Sequence, residues 1–462
     1  MKLFKKVKRI HFVGIGGAGM VGIARVLLKK GYKISGSDII DSNDLKKLRE
    51  DGANIFIGHS KENIQGANLV VVSSAIDKNN PEIIQARQDL ITIIPRAEML
   101  GSLMIGYESI AVAGSHGKTT TTSMIAKILS VANLSPTYVV GGKVLSTDEN
   151  SDLGEGTYLV AEADESDGTF THLQPDVAVL TNIDDDHLAH YNNIFENLLD
   201  SFVTFLENIP FWGYMVVNGD DKDVINVSKR ISRKQVTFGE SKNCNYQISN
   251  IRSASGTQSF QILDAGKDKS YNFLLNIPGK HNVFNAAGSI AVALEEDIEI
   301  ETIQKAISEF SGVGRRYEKH SINIASKDIV LIDDYGHHPI EINANLSAIK
   351  EEYPEKKVCM IFQPHRYTRT EQLFDDFIKV LLEVDSLILL DIYSASEQPI
   401  KGINSEAIAK AITKQGHNDV IHLADHNKIN QILNSKSDHI EVLVTQGAGS
   451  ISMVCESIIK NV

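Results

Sequence analysis

The apolar positions of this 462-residue chain fall in short runs, and most runs stop at a glycine or an acid. "RIHFVGI" reads as a strand. In the following "GMVGIARVLLKKG", Met20, Ile23, Ala24, Leu27 and Leu28 return at helical spacing, and Gly31 is placed to end the helix. Further strands are predicted in "YKISGSD", "NIFIGH" and "NLVVVSSAI", with helices in "DLKKLREDG" and "NPEIIQARQDL"; "ITIIPRAEML" closes the series. Alternation of this kind predicts a parallel sheet covered on both faces.

The pattern then restarts twice. "ESIAVAGSHGKTTTTSMIAKILSVAN" is strand, loop and helix, and "GTYLVAEADESD" and "PDVAVLTNIDDDH" are apolar strands ending in acids. After the glycine- and arginine-bearing "GVGRRYE", which reads as a hinge, strands recur in "DIVLIDDYGHHP", "KVCMIFQPHR", "SLILLDIY" and "EVLVTQGAGS". The breaks place three α/β domains at residues 1–97, 98–312 and 313–462, matching a prior of about 150 residues per domain.

Composition changes this picture little. Hydrophobic residues at 42% suffice for several cores. The formal net charge of −13 argues against a nucleic-acid partner, because phosphate-backbone contacts need an excess of Lys and Arg, yet it leaves small anions open. Cys244, Cys359 and Cys455 are scattered and form no disulfide framework or metal spacing, which fits a reducing compartment. The basic start followed by apolar residues raises the question of a signal peptide, but Gly14, Gly16, Gly17, Gly19 and Gly22 interrupt the apolar run. No run approaches the roughly 18 apolar residues of a spanning helix. A cytoplasmic protein with no membrane partner is expected.

Two strand–loop–helix junctions carry the candidate chemistry. Gly14, Gly16 and Gly19 fit G-x-G-x-x-G, and Asp38 follows at the distance of a ribose-binding acid. Such a turn lets backbone N–H groups approach a pyrophosphate at a helix start. It reports a diphosphate; between a nicotinamide dinucleotide and another diphosphate nucleotide this stretch does not decide. In the second junction Gly114, Ser115, His116, Gly117, Lys118, Thr119 and Thr120 resemble a Walker A loop, although position 112 is Val and the pattern is the shorter G-x-x-G-K-T. Backbone amides and Lys118 would hold the β- and γ-phosphates, and the Thr119 hydroxyl would reach Mg²⁺. Acids ending two later strands, with His187 after the second, would suit Mg²⁺ or Mn²⁺ beside phosphates.

With "HFVGIGGAGM", "GSHGKTTTT", "AEADESD", "TNIDDDH", "PGKHNVFNAAG", "GVGRRYE", "DDYGHHP", "FQPHRYTRT" and "VTQGAGS" in this order, essentially the whole chain resembles the Mur ligase family, and most of all its alanine-adding branch. The resemblance implies a Rossmann-like N-terminal domain for the UDP-sugar, a central P-loop ATPase-type domain, and a Rossmann-like C-terminal domain that brings the amino acid. It implies ATP-dependent joining of L-alanine to the lactyl carboxylate of UDP-N-acetylmuramate through an acyl phosphate, a step of peptidoglycan precursor synthesis. ATP and Mg²⁺ would be required, with Mn²⁺ an alternative metal.

Residue by residue, Lys118 and Thr119 match the P-loop lysine and metal-binding threonine, and Glu165 and His187 the metal ligands. His281, Asn282 and Asn285 match the motif near adenine, Arg316 the arginine facing the γ-phosphate, and Asp334 a nucleotide-contacting acid. Tyr335, His337, His365, Arg366 and Arg369 match the alanine pocket, where arginine grips a carboxylate through a bidentate fork. Ser37, Asp38, His59, Ser73 and Arg96 stand where uridine and sugar contacts are expected, beside Gly14, Gly16, Gly17 and Gly19. Many members hold a second metal with a carbamylated lysine downstream of the metal histidine. No lysine lies between His187 and Lys222, which agrees with the alanine-adding branch. A nicotinamide oxidoreductase would leave the second loop, both acidic strand ends and the hinge arginines without a purpose. Peptide-recycling and folylpolyglutamate-type ligases are the neighbouring alternatives; a non-catalytic P-loop module is opposed by Lys118, Glu165 and His187.

Overall fold

Both glycine loops follow strands whose positions are set by three sheets. The computed structural model of the chain describes residues 4, 6–145, 149–186, 188–395 and 397–461. The first sheet holds β1 (Arg9–Val13), β2 (Lys33–Asp38), β3 (Asn54–Ile57), β4 (Leu69–Val72) and β5 (Thr92–Pro95), in the order β3-β2-β1-β4-β5. All neighbouring pairs are parallel. The strand order reverses at β1, so the connections leaving β1 and β4 diverge and open a crevice at their carboxyl ends. The first glycine loop lies there.

The second sheet has ten strands: β6 (Glu108–Ala113), β7 (Thr137–Val144), β8 (Glu149–Asp152), β9 (Tyr158–Glu162), β10 (Val177–Leu180), β11 (Tyr214–Asn218), β12 (Lys234–Gly239), β13 (Tyr246–Ala254), β14 (Thr257–Asp264) and β15 (Lys269–Leu275). Their order is β15-β14-β13-β12-β11-β10-β6-β9-β7-β8. The strand feeding the second loop, β6, therefore runs between β10 and β9, parallel to both. Those two strands end in the acidic clusters, so the topology delivers both clusters to the sides of the loop. The third sheet comprises β16 (Glu318–Ile324), β17 (Lys327–Asp334), β18 (Val358–Phe362), β19 (Ser386–Leu390), β20 (Val420–Leu423) and β21 (Val442–Gln446), ordered β16-β17-β21-β18-β19-β20.

The central strands β10, β18, β19 and β21 are buried along their whole length, as strands covered on both faces must be. The sequence did not foretell the antiparallel pairs β7–β8 and β16–β17. The helix Lys118–Val131 carries four consecutive threonines, poor helix formers, and burial of Thr119–Ser123 overrides their propensity. Thr122 donates its hydroxyl to the Lys118 carbonyl, one turn back.

The chain divides into two compact units: Met1–Arg252 with Ser259–Asn276 and His281–Ser311, and Gly312–Val462 with Ser253–Gln258 and Ile277–Lys280. In the first unit, helix Ala18–Lys29 lies so close to the β7–β8 hairpin that a Cβ on Gly22 would sit 3.0 Å from Val139 and 3.3 Å from Ser151. The first two sheets thus share one body. All three cysteines are buried, Cys244 in the first unit and Cys359 and Cys455 in the second. Among the described residues no helix is long and apolar enough to cross a membrane.

Candidate active site

The second loop wraps back on itself. Gly114 and Gly117 have φ of 128° and 81°, backbone that disfavours any side chain. A Cβ on Gly117 would stand 2.3 Å from Asn285 Oδ1, and one on Gly114 2.2 Å from Thr181 Oγ1. The loop is braced from the end of β10: Asn182 accepts the His116 N–H through its side chain at 2.8 Å and the Ser115 N–H through its carbonyl at 3.1 Å, while Thr181 donates to the His116 carbonyl. His116 Nε2 lies 3.1 Å from Asp184. Asn285 reaches Asn282 at 3.2 Å, and both are buried on helix Lys280–Glu295; His281 on the same helix is exposed.

Lys118 opens helix Lys118–Val131 and donates to the carbonyls of Gly114 and Ser115 and to both oxygens of Glu165, at 3.0 and 2.8 Å. Glu165 is 1% exposed. Burial pushes its carboxyl up, with Asp164 adding to the rise and Lys118 opposing it. Burial works against the Lys118 ammonium, but Glu165, Asp164 and Glu162 outweigh it and the amine stays charged, above its ordinary range. Against desolvation, Lys118 and Arg96 hold Asp164 down at about 2. Thr119 is buried beside Lys118. Carboxylate and hydroxyl oxygens are hard donors, which fits Mg²⁺. Among the described residues no three His, Cys, Asp or Glu side chains gather as a metal cage, and Mg²⁺ commonly uses one or two carboxylates plus substrate phosphates. His187 lies outside the described residues.

The first loop is pinned from β2. The Ser37 carbonyl accepts the N–H groups of Gly14 and Ile15, and Asp38 accepts that of Gly16 at 2.8 Å. Gly17 caps helix Ala18–Lys29. A Cβ on Gly14 would stand 3.1 Å from Ser73, and one on Gly19 2.7 Å from Arg96 Nη1. Arg96 also pairs with Asp164 at 3.2 Å, so one guanidinium spans from the first loop to the acids beside the second. Ser37 is fully buried, and its hydroxyl meets Glu82 at 2.6 Å and His59 Nδ1 at 3.0 Å.

In the second unit a third cluster stands at the carboxyl ends of β17 and β18. Arg315 and Tyr317 have positive φ, and the turn is tied to the sheet by Arg315 to Asp333 at 3.0 Å and the Tyr317 N–H to Asp334 at 2.9 Å. Burial pushes Asp334 up, while Arg316 counters it. Arg316 reaches Glu341 at 3.3 Å and lies over the Tyr335 ring. From Tyr335 a file of rings continues through His337, His365 and Tyr393, with centroids 5.3–5.5 Å apart. Arg369, 5% exposed, approaches His365 Nδ1 at 3.3 Å. Arg366 has a φ of 72° and lies 3.6 Å from Glu397.

Three family models cover most of the chain: Mur ligase family, catalytic domain (residues 9–108), Mur ligase middle domain (112–293) and Mur ligase, glutamate ligase domain (315–449). The chain is 43% identical over 458 residues to a UDP-N-acetylmuramate–L-alanine ligase of Psychrobacter sp. (strain PRwf-1), covering 99% of this chain and 96% of that one. The chain belongs to the Mur ligase family. It is also similar to the crystal structure of the UDP-N-acetylmuramate–alanine ligase of Thermotoga maritima, with a TM-score of 0.84 at 29% identity over 98% of both chains. A murein peptide ligase of Psychrobacter arcticus shares the fold, with a TM-score of 0.75 at 22% identity over 98% of this chain and 99% of that one.

Within this Mur ligase fold the structure brings together residues that sequence reasoning left out. Asn182 braces the P-loop from both its side chain and its carbonyl. Asp164 bridges Arg96 to the Lys118–Glu165 pair. Glu82, fully buried, gathers His11, Ser37, Asn63 and the Ser60 N–H. Asp164 and Asn182 carried a signal, as parts of "AEADESD" and "TNIDDDH"; Glu82 carried none.

Proposed function

We infer that this chain is an ATP-dependent carboxylate–amine ligase that joins L-alanine to the lactyl carboxylate of UDP-N-acetylmuramate, forming ADP and phosphate in the cytoplasm. The observation that carries the reading is a chain with two glycine loops in one body, the second pairing its lysine with a buried glutamate. The identity to an enzyme of that name supports it. Residues 1–97 take the UDP-sugar, 98–312 the ATP and 313–462 the amino acid.

A lactyl carboxylate oxygen attacks the γ-phosphorus, the bond to the β-phosphate bridging oxygen breaks, and ADP leaves. The resulting acyl phosphate has the leaving group that a carboxylate lacks. The alanine amine attacks the acyl carbon, and the tetrahedral oxyanion collapses to amide and phosphate. Lys118 and Arg316 supply positive charge to the transferring phosphoryl. Mg²⁺ held by Thr119, Glu165 and His187 adds Lewis-acid charge neutralisation when bound. Gly114–Thr120 cradle the phosphates, and His281, Asn282 and Asn285 lie toward the adenine. Arg369 and Arg366 take the alanine carboxylate. In the sugar domain the glycines and Arg96 hold the diphosphate, with Asp38, His59 and Ser73 around it.

The base that takes the amine proton is His337. Its Nδ1 faces the Tyr335 carbonyl at 3.2 Å and so carries the hydrogen, which makes Nε2 the basic nitrogen of the neutral ring. His365 is differently disposed: guanidinium only donates, so the Nδ1 beside Arg369 is an acceptor already engaged.

The test is phosphate release from ATP with UDP-N-acetylmuramate and each amino acid in turn, beside a tripeptide and a folate–glutamate pair. Release that depends on UDP-N-acetylmuramate and alanine is expected. Release with the tripeptide instead assigns the peptide-recycling activity.

A further inference from the structure

The most heavily hydrogen-bonded buried acid of the first sheet touches none of the residues assigned to phosphate. Glu82 is the second residue of helix Pro81–Gln88 and is 0% exposed. Its Oε1 accepts from Asn63 Nδ2 at 2.6 Å and from the Ser60 N–H at 3.2 Å. Its Oε2 meets the Ser37 hydroxyl at 2.6 Å and His11 Nε2 at 3.3 Å. His59 Nδ1 lies 3.6 Å away. Placing a carboxylate in an apolar interior is costly unless it is fully hydrogen-bonded, and here four bonds converge from three separate segments: β1, β2 and the turn Ser60–Asn63.

What those partners do elsewhere gives the network its meaning. Ser37 is the residue whose carbonyl receives the Gly14 and Ile15 N–H groups, at 2.9 and 3.0 Å. Its neighbour Asp38 receives the Gly16 N–H. Three successive amides of the first loop are therefore oriented by two residues at the end of β2, and the side chain of one of these is fixed by Glu82. The same carboxylate orders the Ser60 turn that follows His59, and the Ser37 hydroxyl reaches the His59 ring itself at 3.0 Å. One buried group thus fixes the height of the glycine loop and the place of a candidate sugar-nucleotide contact, from behind.

We propose that Glu82 is a positioning residue for the UDP-sugar, acting through Ser37 on the first glycine loop and on His59. The inference rests on reading that loop as the UDP-sugar site. A binding loop of this kind must be held to within a fraction of an ångström for its amides to meet a diphosphate, and loops gain that precision from the shell behind them.

The informative substitution is Glu82→Gln. Asn63 and the Ser60 N–H can only donate, so the amide oxygen must take the Oε1 place and the new NH₂ faces Ser37 and His11. A hydroxyl and an imidazole can both switch from donor to acceptor, so the variant folds with its packing intact. The Ser37 hydroxyl, however, no longer has a carboxylate to donate to and reorients. The expected result is a rise in KM for UDP-N-acetylmuramate of roughly tenfold, with kcat and the KM values for ATP and alanine within about twofold of wild type. Isothermal calorimetry should show the same weakening for the UDP-sugar alone.

The route is checked by a double-mutant cycle with Ser37→Ala. If Glu82 acts through Ser37, the double variant binds the UDP-sugar no more weakly than Ser37→Ala, whereas independent contributions multiply. Unchanged UDP-sugar affinity in Glu82→Gln, multiplicative losses in the double variant, or an equal loss of affinity for all three substrates would each overturn the proposal. The same titration on the wild-type protein separates the two levels of the argument. If the wild type itself does not bind UDP-N-acetylmuramate, the assignment of the loop fails; if it binds and the variant binds equally well, only the role of Glu82 fails.

Discussion

At the scale of single residues, the Lys118–Glu165 contact makes the firmest demand. Lys118→Ala should abolish alanine-dependent phosphate release while leaving the circular dichroism spectrum unchanged; release near the wild-type rate would remove the P-loop assignment. His337→Gln should lower kcat with little change in the alanine KM. The deficit should shrink as pH rises and more of the amine arrives already deprotonated, a trend read from a pH–rate profile. Glu82 adds a stability prediction. Although burial pushes its carboxyl up, hydrogen bonds from His11, Ser37 and Asn63 prevail and hold it at about 2, below an ordinary 4.5. A lowered pKa stabilises the fold in full above the ordinary value, and the benefit is lost as pH falls from there toward about 2. The shift corresponds to roughly 3 kcal/mol. Urea unfolding followed down through this window should show a shallower loss of stability for Glu82→Gln than for wild type; equal slopes would contradict the shift. Lys118 and Glu165 were legible because a P-loop lysine and an acid at a strand end are local patterns. Glu82 was not: an acid in the first turn of a helix reads as a solvent-facing answer to the helix dipole. Its partners lie 71, 45 and 19 residues away, where no local pattern reaches.

At the scale of elements, the loop–helix junction after β6 depends on two glycines. Gly117→Ala asks for a side chain at a φ of 81° and 2.3 Å from Asn285. Strain of this kind costs about 1–3 kcal/mol, and relieving it must move either the loop or the helix bearing Asn285. The variant should melt several degrees lower and bind ATP at least tenfold more weakly, measured by differential scanning calorimetry and by titration calorimetry. Wild-type ATP affinity would mean that the loop conformation is not the binding one. Most parallel strands were legible as apolar runs bounded by glycines and acids, while β11, β12 and β20, also parallel, were not picked out. The antiparallel edges were not, because β7 and β16 carry alternating or glycine-broken patterns that mark a strand without its direction. The threonine-rich start of helix Lys118–Val131 was recognised only through its motif, since propensity alone opposes it.

At the scale of the whole molecule, the chain forms two bodies, and each contains thiols sealed in its core. Cys244 sits in the first unit; Cys359 and Cys455 sit in the second. Burial pushes the three thiols up to about 11, 11 and 12, so hardly any reactive thiolate exists while the fold is closed. Each body therefore has its own chemical clock. An alkylating reagent added to the intact protein, with peptides followed by mass spectrometry, dates the opening of each unit separately. Cys359 and Cys455 should be modified together and Cys244 at a rate of its own; a single common rate would mean that the chain opens all at once. Because ATP held by the second glycine loop, which lies in the first unit, stabilises only the closed form, ATP should slow the Cys244 clock.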